Sequence, residues 1–203
     1  QNRLTHDGIW NNKLYAKQMT TLNHKTVGVI GGGHIGRMVA GQVQNFGADV
    51  VYYDAFRMNE EKEEEFHMKY LPLEELVKVS DVITIHVPLL ESTRHIIGKQ
   101  EIESMKNGVI LINTARGGLI DDQALAEALV SGKVAAAGLD CVEDENLEEN
   151  PLAKMSNVIL TPHMGGTSND LADEMIPKIA SQIKMLAEVG KIQNIVNQQY
   201  LQK

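Results

Sequence analysis

Three side chains in this 203-residue sequence could together reduce a ketone that stands beside a carboxylate: Arg116, Glu145 and His163. A guanidinium grips a carboxylate through two parallel N–H···O contacts. An imidazolium can give its proton to a carbonyl oxygen as hydride reaches the carbon, and a carboxylate beside it holds the ring and favours its charged form. Arg116 follows the apolar run Val109 to Ile112 and precedes Gly117 and Gly118, a setting that pairing with a surface acid explains poorly. His163 follows Thr161 and Pro162 at the exit of Val158, Ile159 and Leu160. Glu145 lies in an acidic loop, Glu143 to Glu149, where Glu143 and Asp144 are alternative partners for the histidine.

A hydride source must be held nearby, and the stretch Thr26 to Gly36, TVGVIGGGHIG, reads as the element that holds it. Val27, Val29 and Ile30 predict a strand buried on both faces. Gly31, Gly33 and Gly36 form G-x-G-x-x-G. The first takes a tight turn, the second lets a pyrophosphate approach the backbone, and the third lets helix and strand pack closely. The phosphates would rest on unpaired N–H groups at the helix start. Ile35, Met38, Val39, Val43 and Phe46 follow at helical spacing and predict one apolar face laid on the sheet. The glycine pattern alone is a weak signal. It gains weight from a second strand, DVVYYD, that ends in Asp54, eighteen residues beyond Gly36. A carboxylate there can accept hydrogen bonds from both hydroxyls of an adenosine ribose, and its charge repels a 2′-phosphate, so NAD is expected rather than NADP. Arg57 could turn toward a 2′-phosphate but reads as a solvated loop arginine.

The rest of the chain supplies the elements that bring these residues together. Residues 1–25 are polar, without sustained periodicity, and read as a lead-in segment. Glu60 to Glu65, EEKEEE, reads as a solvated helix face, and Pro72 as the first turn of a short helix, LEELVKV. Further strands are expected at Val82 to Ile85, Val109 to Ile112, Val134 to Leu139 and Val158 to Leu160. Helices are expected at Gln100 to Lys106, from Asp121 and Asp122 to a closing Gly132, and from Ser168 onward, where Ile176, Ile179, Ile183 and Leu186 share a face and Pro177 should kink the axis. This alternation predicts an α/β fold, a Rossmann-type doubly wound parallel sheet in three αβα layers. Ligands in such sheets bind beyond the carboxyl ends of the strands. Asp54, His86, Arg116, Asp140 and His163 all fall at such ends. His86 reads as lining the cofactor groove, and His6, His24, His67 and His95 as solvated.

A net charge of −8 makes the chain a poor candidate for binding nucleic acid or an anionic membrane. There is no apolar run long enough to span a bilayer and no basic-then-apolar leader pattern. The single cysteine, Cys141, excludes an intrachain disulfide framework, suits a reducing compartment and reads as a small packing residue; cytoplasm is the expected location. No His/Cys/Asp cluster has metal-ligand spacing, so no metal is expected.

Taken in order, VGVIGGGHIG, Asp54, HVPLLESTRHIIG, INTARGGLIDDQAL, AAAGLDCVEDE, NPL and ILTPHMGG resemble the blocks of the D-isomer-specific 2-hydroxyacid dehydrogenases over nearly the whole chain. The resemblance implies NAD as cofactor, a small 2-hydroxy or 2-oxo acid as substrate and a homodimer. It implies that Arg116 binds substrate, that Glu145 is the acid partner and that His163 is the proton donor. It also places His34, Ile35, Val87, Pro88, Thr93, Thr114, Ala115, Asp140 and Gly166 around NAD, with Asp140 near the carboxamide. Asn146 departs from the family's proline, and Pro177 from its smooth helix. Family members carry a substrate domain of about a hundred residues or more ahead of this region. Residues 1–203 are therefore expected to form a single NAD-binding domain, with 1–25 as lead-in and 168–203 as C-terminal helix and tail, and without the substrate domain. A second reading is a non-enzymatic NAD-sensing module akin to the corepressors that resemble this family. The lack of a basic patch favours the enzyme. Selectivity for the side chain of the 2-oxo acid is expected to lie largely in the other domain.

Overall fold

The valine- and isoleucine-rich runs become strands of one sheet whose two faces are both covered. In the computed structural model, residues 6–8, 10, 19–144 and 146–190 are described. Most of the lead-in segment, Glu145 and the tail from 191 lie outside them. The elements are β1 (Thr26–Ile30), α1 (His34–Asn45), β2 (Asp49–Tyr53), α2 (Glu60–Glu65), β3 (Lys69–Tyr70), α3 (Leu73–Val79), β4 (Val82–Ile85), α4 (Lys99–Ser104), β5 (Val109–Asn113), α5 (Asp122–Ser131), β6 (Val134–Leu139), a 3₁₀ turn (Pro151–Lys154), β7 (Val158–Leu160) and α6 (Leu171–Val189). The strands run β3-β2-β1-β4-β5-β6-β7, every neighbouring pair parallel. The winding reverses at β1, as a doubly wound sheet requires, so the crevice between β1 and β4 is the topological switch point. The two-residue β3 has too little pattern to be legible in the sequence.

The chain divides into two compact units, Gln1–His163 and Met164–Lys203. In the first, alternate residues of each strand feed separate cores. Val27, Val29, Val50 and Tyr52 join Ala40 of α1 on one face. Ile30, Val51, Ile83, Ile85 and Leu111 join Leu76 of α3, Ile102 of α4 and Leu125 of α5 on the other. The packing is close: a Cβ on Gly28 would stand 2.3 Å from the Ser80 hydroxyl and 2.6 Å from Leu76. Asp121 caps α5 by accepting from the Ala124 N–H at 3.0 Å, and Gly132 closes it in the left-handed region at φ 79°. Pro72 is the N-cap of α3 rather than part of its first turn. In the second unit, α6 begins after Asp170, three residues later than Ser168, and continues through Pro177. Its apolar stripe of Ile176, Ile179, Ile183 and Leu186 is exposed.

Two readings of surface residues change. The face that α1 buries is Gly36 and Ala40, with Val39 and Val43 half-buried, while Ile35, Met38 and Phe46 are 64%, 60% and 68% exposed. The helix must come close to the glycine turn, so small side chains face the sheet and the larger ones are turned out. The EEKEEE helix is not wholly solvated either. Glu63 accepts from the Tyr52 hydroxyl at 2.7 Å and from Arg57 Nε and Nη2 at 2.8 and 2.9 Å. Arg57, and then Tyr52, hold the Glu63 carboxyl down to about 2. A folded-state value below the ordinary one means that the ionised carboxylate stabilises the fold above about pH 4.5 and that this contribution is lost as pH falls toward 2. Urea unfolding at stepped pH should therefore show Glu63→Gln less stable than the parent at pH 7 and the gap closing between pH 4.5 and 2; a gap independent of pH would refute this role.

Candidate active site

The turn after β1 is shaped by what surrounds its glycines. Gly31 has φ 106°, and a Cβ there would stand 2.7 Å from the His86 carbonyl beyond β4. A Cβ on Gly36 would reach 2.0 Å from the Gly31 carbonyl oxygen, so the start of α1 rests directly on the turn. Gly33 caps α1 without a side-chain bond, and no atom lies within 4 Å of where its Cβ would be. That leaves an open approach to the first-turn N–H groups around His34 and Ile35, both exposed. Asp54, at the end of β2, accepts from the Gly32 N–H at 2.8 Å through one oxygen and from the Phe56 N–H at 2.9 Å through the other. The glycine turn and the acid are thus one unit. Each carboxylate oxygen keeps lone-pair capacity for a further donor.

At the end of β4, His86 Nε2 lies 3.0 Å from the Thr84 hydroxyl, and burial holds its pKa below the ordinary histidine value. A neutral ring suits a lining residue. Val87 is half-buried and Pro88 leads into a turn closed by Thr93, whose hydroxyl donates to the Pro88 carbonyl at 2.6 Å and accepts from the Leu90 N–H at 2.8 Å. That local bonding gives Thr93 a structural part as well as its position on this edge.

The ends of β5, β6 and β7 are linked through backbone. The Asp140 N–H donates to the Asn113 carbonyl and the His163 N–H to the Asp140 carbonyl, both at 2.9 Å. Asn113, which sequence reasoning passed over, is buried and shapes the Thr114–Ala115–Arg116 turn. Its amide donates to the Arg116 carbonyl at 2.8 Å and its side-chain oxygen accepts from the Ala115 N–H at 3.0 Å. The only sequence sign of it is a polar residue closing an apolar strand. Gly117 lets this turn meet the segment after β6, since a Cβ there would lie 1.9 Å from the Val142 carbonyl oxygen. The Arg116 side chain is exposed, with Nη1 donating to the Ala115 carbonyl at 2.6 Å. Asp140 is buried and accepts from the Thr161 hydroxyl at 2.5 Å. His163 is exposed and left-handed, φ 50°, a conformation uncommon outside glycine and often found at functional sites. Asp140, Val142, Leu147, Leu160 and His163 line a cavity of about 430 Å³. Cys141 is buried among them.

Glu145 lies outside the described residues, and Gly166 belongs to the second unit. The neighbouring acids are placed. Glu143 is bound by Arg94 and by His95 Nε2, the latter at 2.8 Å, so His95 is paired rather than simply solvated. The Asp144 carboxylate accepts from the Asn146 N–H at 2.9 Å. Asp122, whose pKa burial raises, accepts from the Glu143 N–H at 2.9 Å and from the buried Asn150 amide at 3.1 Å, which ties the acidic loop to the start of α5. Among the described residues no His/Cys/Asp/Glu group could hold a metal ion, and no helix is long and apolar enough to cross a membrane.

Comparison with known proteins places the chain in a family. The family model described as D-isomer specific 2-hydroxyacid dehydrogenase, NAD binding domain, matches residues 1–165. The chain belongs to this family. Its sequence is 37% identical over 202 residues to a glyoxylate reductase of Korarchaeum cryptofilum, covering 97% of this chain and 60% of that protein. Among solved structures, a glyoxylate reductase from Paecilomyes thermophila superimposes with a TM-score of 0.87 at 37% identity, over 98% of this chain and 59% of that one. A D-lactate dehydrogenase with NAD+ from Lactobacillus jensenii gives 0.82 at 33%, over 97% and 62%. The chain therefore spans about three fifths of the length of these proteins. For an NAD-binding domain of this family the turn is a fitting shape: there is space beside Gly33 of the kind a pyrophosphate needs, and Asp54 keeps acceptor capacity of the kind a ribose needs.

Proposed function

We propose that this chain is the cofactor domain of a cytoplasmic, homodimeric enzyme that interconverts a small 2-hydroxy acid and its 2-oxo acid with NAD. Residues 1–203 act as one NAD-binding domain, and selectivity for the substrate's side chain lies in the part of the relatives that this chain does not span. The observation that carries the reading is the backbone linkage of three successive strand ends, Asn113 to Asp140 to His163, which sets Arg116, Asp140 and His163 on one edge with the glycine turn. Bound NAD(H) supplies or accepts the hydride. The remaining chemical roles proposed here fall to residues of this chain. Arg116 grips the substrate carboxylate and fixes the carbonyl in place. His163 gives its proton to the carbonyl oxygen in reduction and takes it back in oxidation. Glu145 orients that ring, while Asp140 and Thr161 shape the floor beside it. His34, Ile35, Val87, Pro88, Thr93, Thr114 and Ala115 complete the surround of the cofactor.

NADH oxidation by the whole protein, screened over glyoxylate, hydroxypyruvate and pyruvate, tests this reading. Arg116→Met should lower kcat/KM for the accepted 2-oxo acid by about a hundredfold, as loss of a charge-assisted contact predicts, with little change in NADH affinity. If no 2-oxo acid is reduced while NADH still binds, the chain is a sensing module instead.

A further inference from the structure

Arg57 stands three residues beyond Asp54, and the chain can put no more than about 11 Å between their Cα atoms. The backbone on either side of it is pinned. The Phe56 N–H donates to Asp54 at 2.9 Å, and the Met58 N–H to the hydroxyl of buried Tyr52 at 2.9 Å. Only the side chain is left to choose a direction, and two groups decide it. Glu63 takes Nε and Nη2 in a two-pronged contact at 2.8 and 2.9 Å, and the guanidinium carbon lies 4.9 Å from the centre of the Tyr70 ring. Glu63 is the fixed member of the pair, because the Tyr52 hydroxyl also donates to it and its side chain is 13% exposed against 55% for Arg57. The solvated arginine expected from the sequence is therefore a latched one.

We propose that Glu63 is a positioning residue for cofactor choice: by holding the Arg57 guanidinium against Tyr70, it withholds from a 2′-phosphate a cation that stands three residues beyond the ribose-binding acid. With Arg57 neutralised by Glu63, a 2′-phosphate would meet the uncompensated charge of Asp54. The cofactor is then selected twice, by the repulsion from Asp54 and by the capture of Arg57. The proposal rests on the reading of Asp54 as the ribose acceptor, and its test separates the two.

Dissociation constants for NADH and NADPH would be measured by fluorescence titration on the whole protein and its variants. Asp54→Ser alone should raise the affinity for NADPH relative to NADH. Adding Glu63→Gln, which can still accept from Tyr52, should raise it again by on the order of tenfold as the freed guanidinium meets the phosphate. Adding Arg57→Met to that pair should cancel the second gain. A second gain that is absent, or that survives loss of Arg57, overturns the proposal. Arg57→Met in the Asp54→Ser background, with Glu63 intact, gives a check that leaves Glu63 in place: the ratio should stay where Asp54→Ser put it, and a fall in NADPH affinity would mean that Arg57 already reaches the phosphate and that Glu63 does not withhold it. If Asp54→Ser alone moved nothing while Glu63→Gln gave an Arg57-dependent gain, the latch would stand and the reading of Asp54 would fall.

Discussion

Replacing His163 with Ala in the whole protein is expected to slow 2-oxo acid reduction by about 10²–10⁴-fold, the range that a positioned general acid contributes. The residue sits on a turn fixed from two sides, its N–H donated to the Asp140 carbonyl at 2.9 Å and to the Thr161 carbonyl at 3.0 Å. That bonding maintains the left-handed backbone at φ 50°. Alanine removes the imidazole and keeps the N–H, so the turn and the β1–α1 cofactor turn should survive. The loss should therefore appear in kcat and kcat/KM while the Kd for NADH stays near the parent value. Steady-state rates combined with NADH fluorescence titration read both quantities. A loss of less than tenfold would remove His163 from the reaction, and an equal loss of NADH affinity would make it a cofactor-binding residue instead.

The second large effect is expected at Gly36. Its added methyl would lie 2.0 Å from the Gly31 carbonyl oxygen and 3.1 Å from Val29. The turn has no room to retreat, because Gly31 is itself pressed against the His86 carbonyl. Gly36→Ala should thus cost about 1–3 kcal/mol of stability through overpacking, and NADH affinity should fall with it because helix start and turn are forced apart. Gly33→Ala provides the contrast. With no atom within 4 Å of the new methyl and φ at −69°, the fold should accept it with little change, yet the methyl would occupy the side from which a pyrophosphate approaches. Denaturant unfolding and NADH titration on the two variants separate them: Gly36→Ala loses both stability and binding, Gly33→Ala binding alone. A destabilised Gly33→Ala, or one that binds NADH as the parent does, would contradict this division.

The sequence by itself determined the repeating order of strand and helix, the glycine turn, the acid after β2 and the set of polar residues at strand ends. Each of these is a local property: a period of two or of three to four residues, a position needing no Cβ, a polar group where an apolar run stops. The family's blocks add a second kind of legibility, since their order along the chain is itself a sequence property. What only the tertiary structure decided is partner choice. Arg57 and His95 look solvated in the sequence because their acids, Glu63 and Glu143, are six and forty-eight residues away on other elements. Asn113 looks like an ordinary strand end until Asp140 arrives from β6 to bond its carbonyl. The buried face of α1 departs from its hydropathy for a related reason: hydropathy points to Ile35, Met38 and Phe46, but close approach to the glycine turn favours Gly36 and Ala40, whose small side chains carry little hydrophobic signal. Periodicity along a chain records which residues can be buried or charged; which face packs and which charge is paired depends on contacts that exist only once distant segments lie side by side.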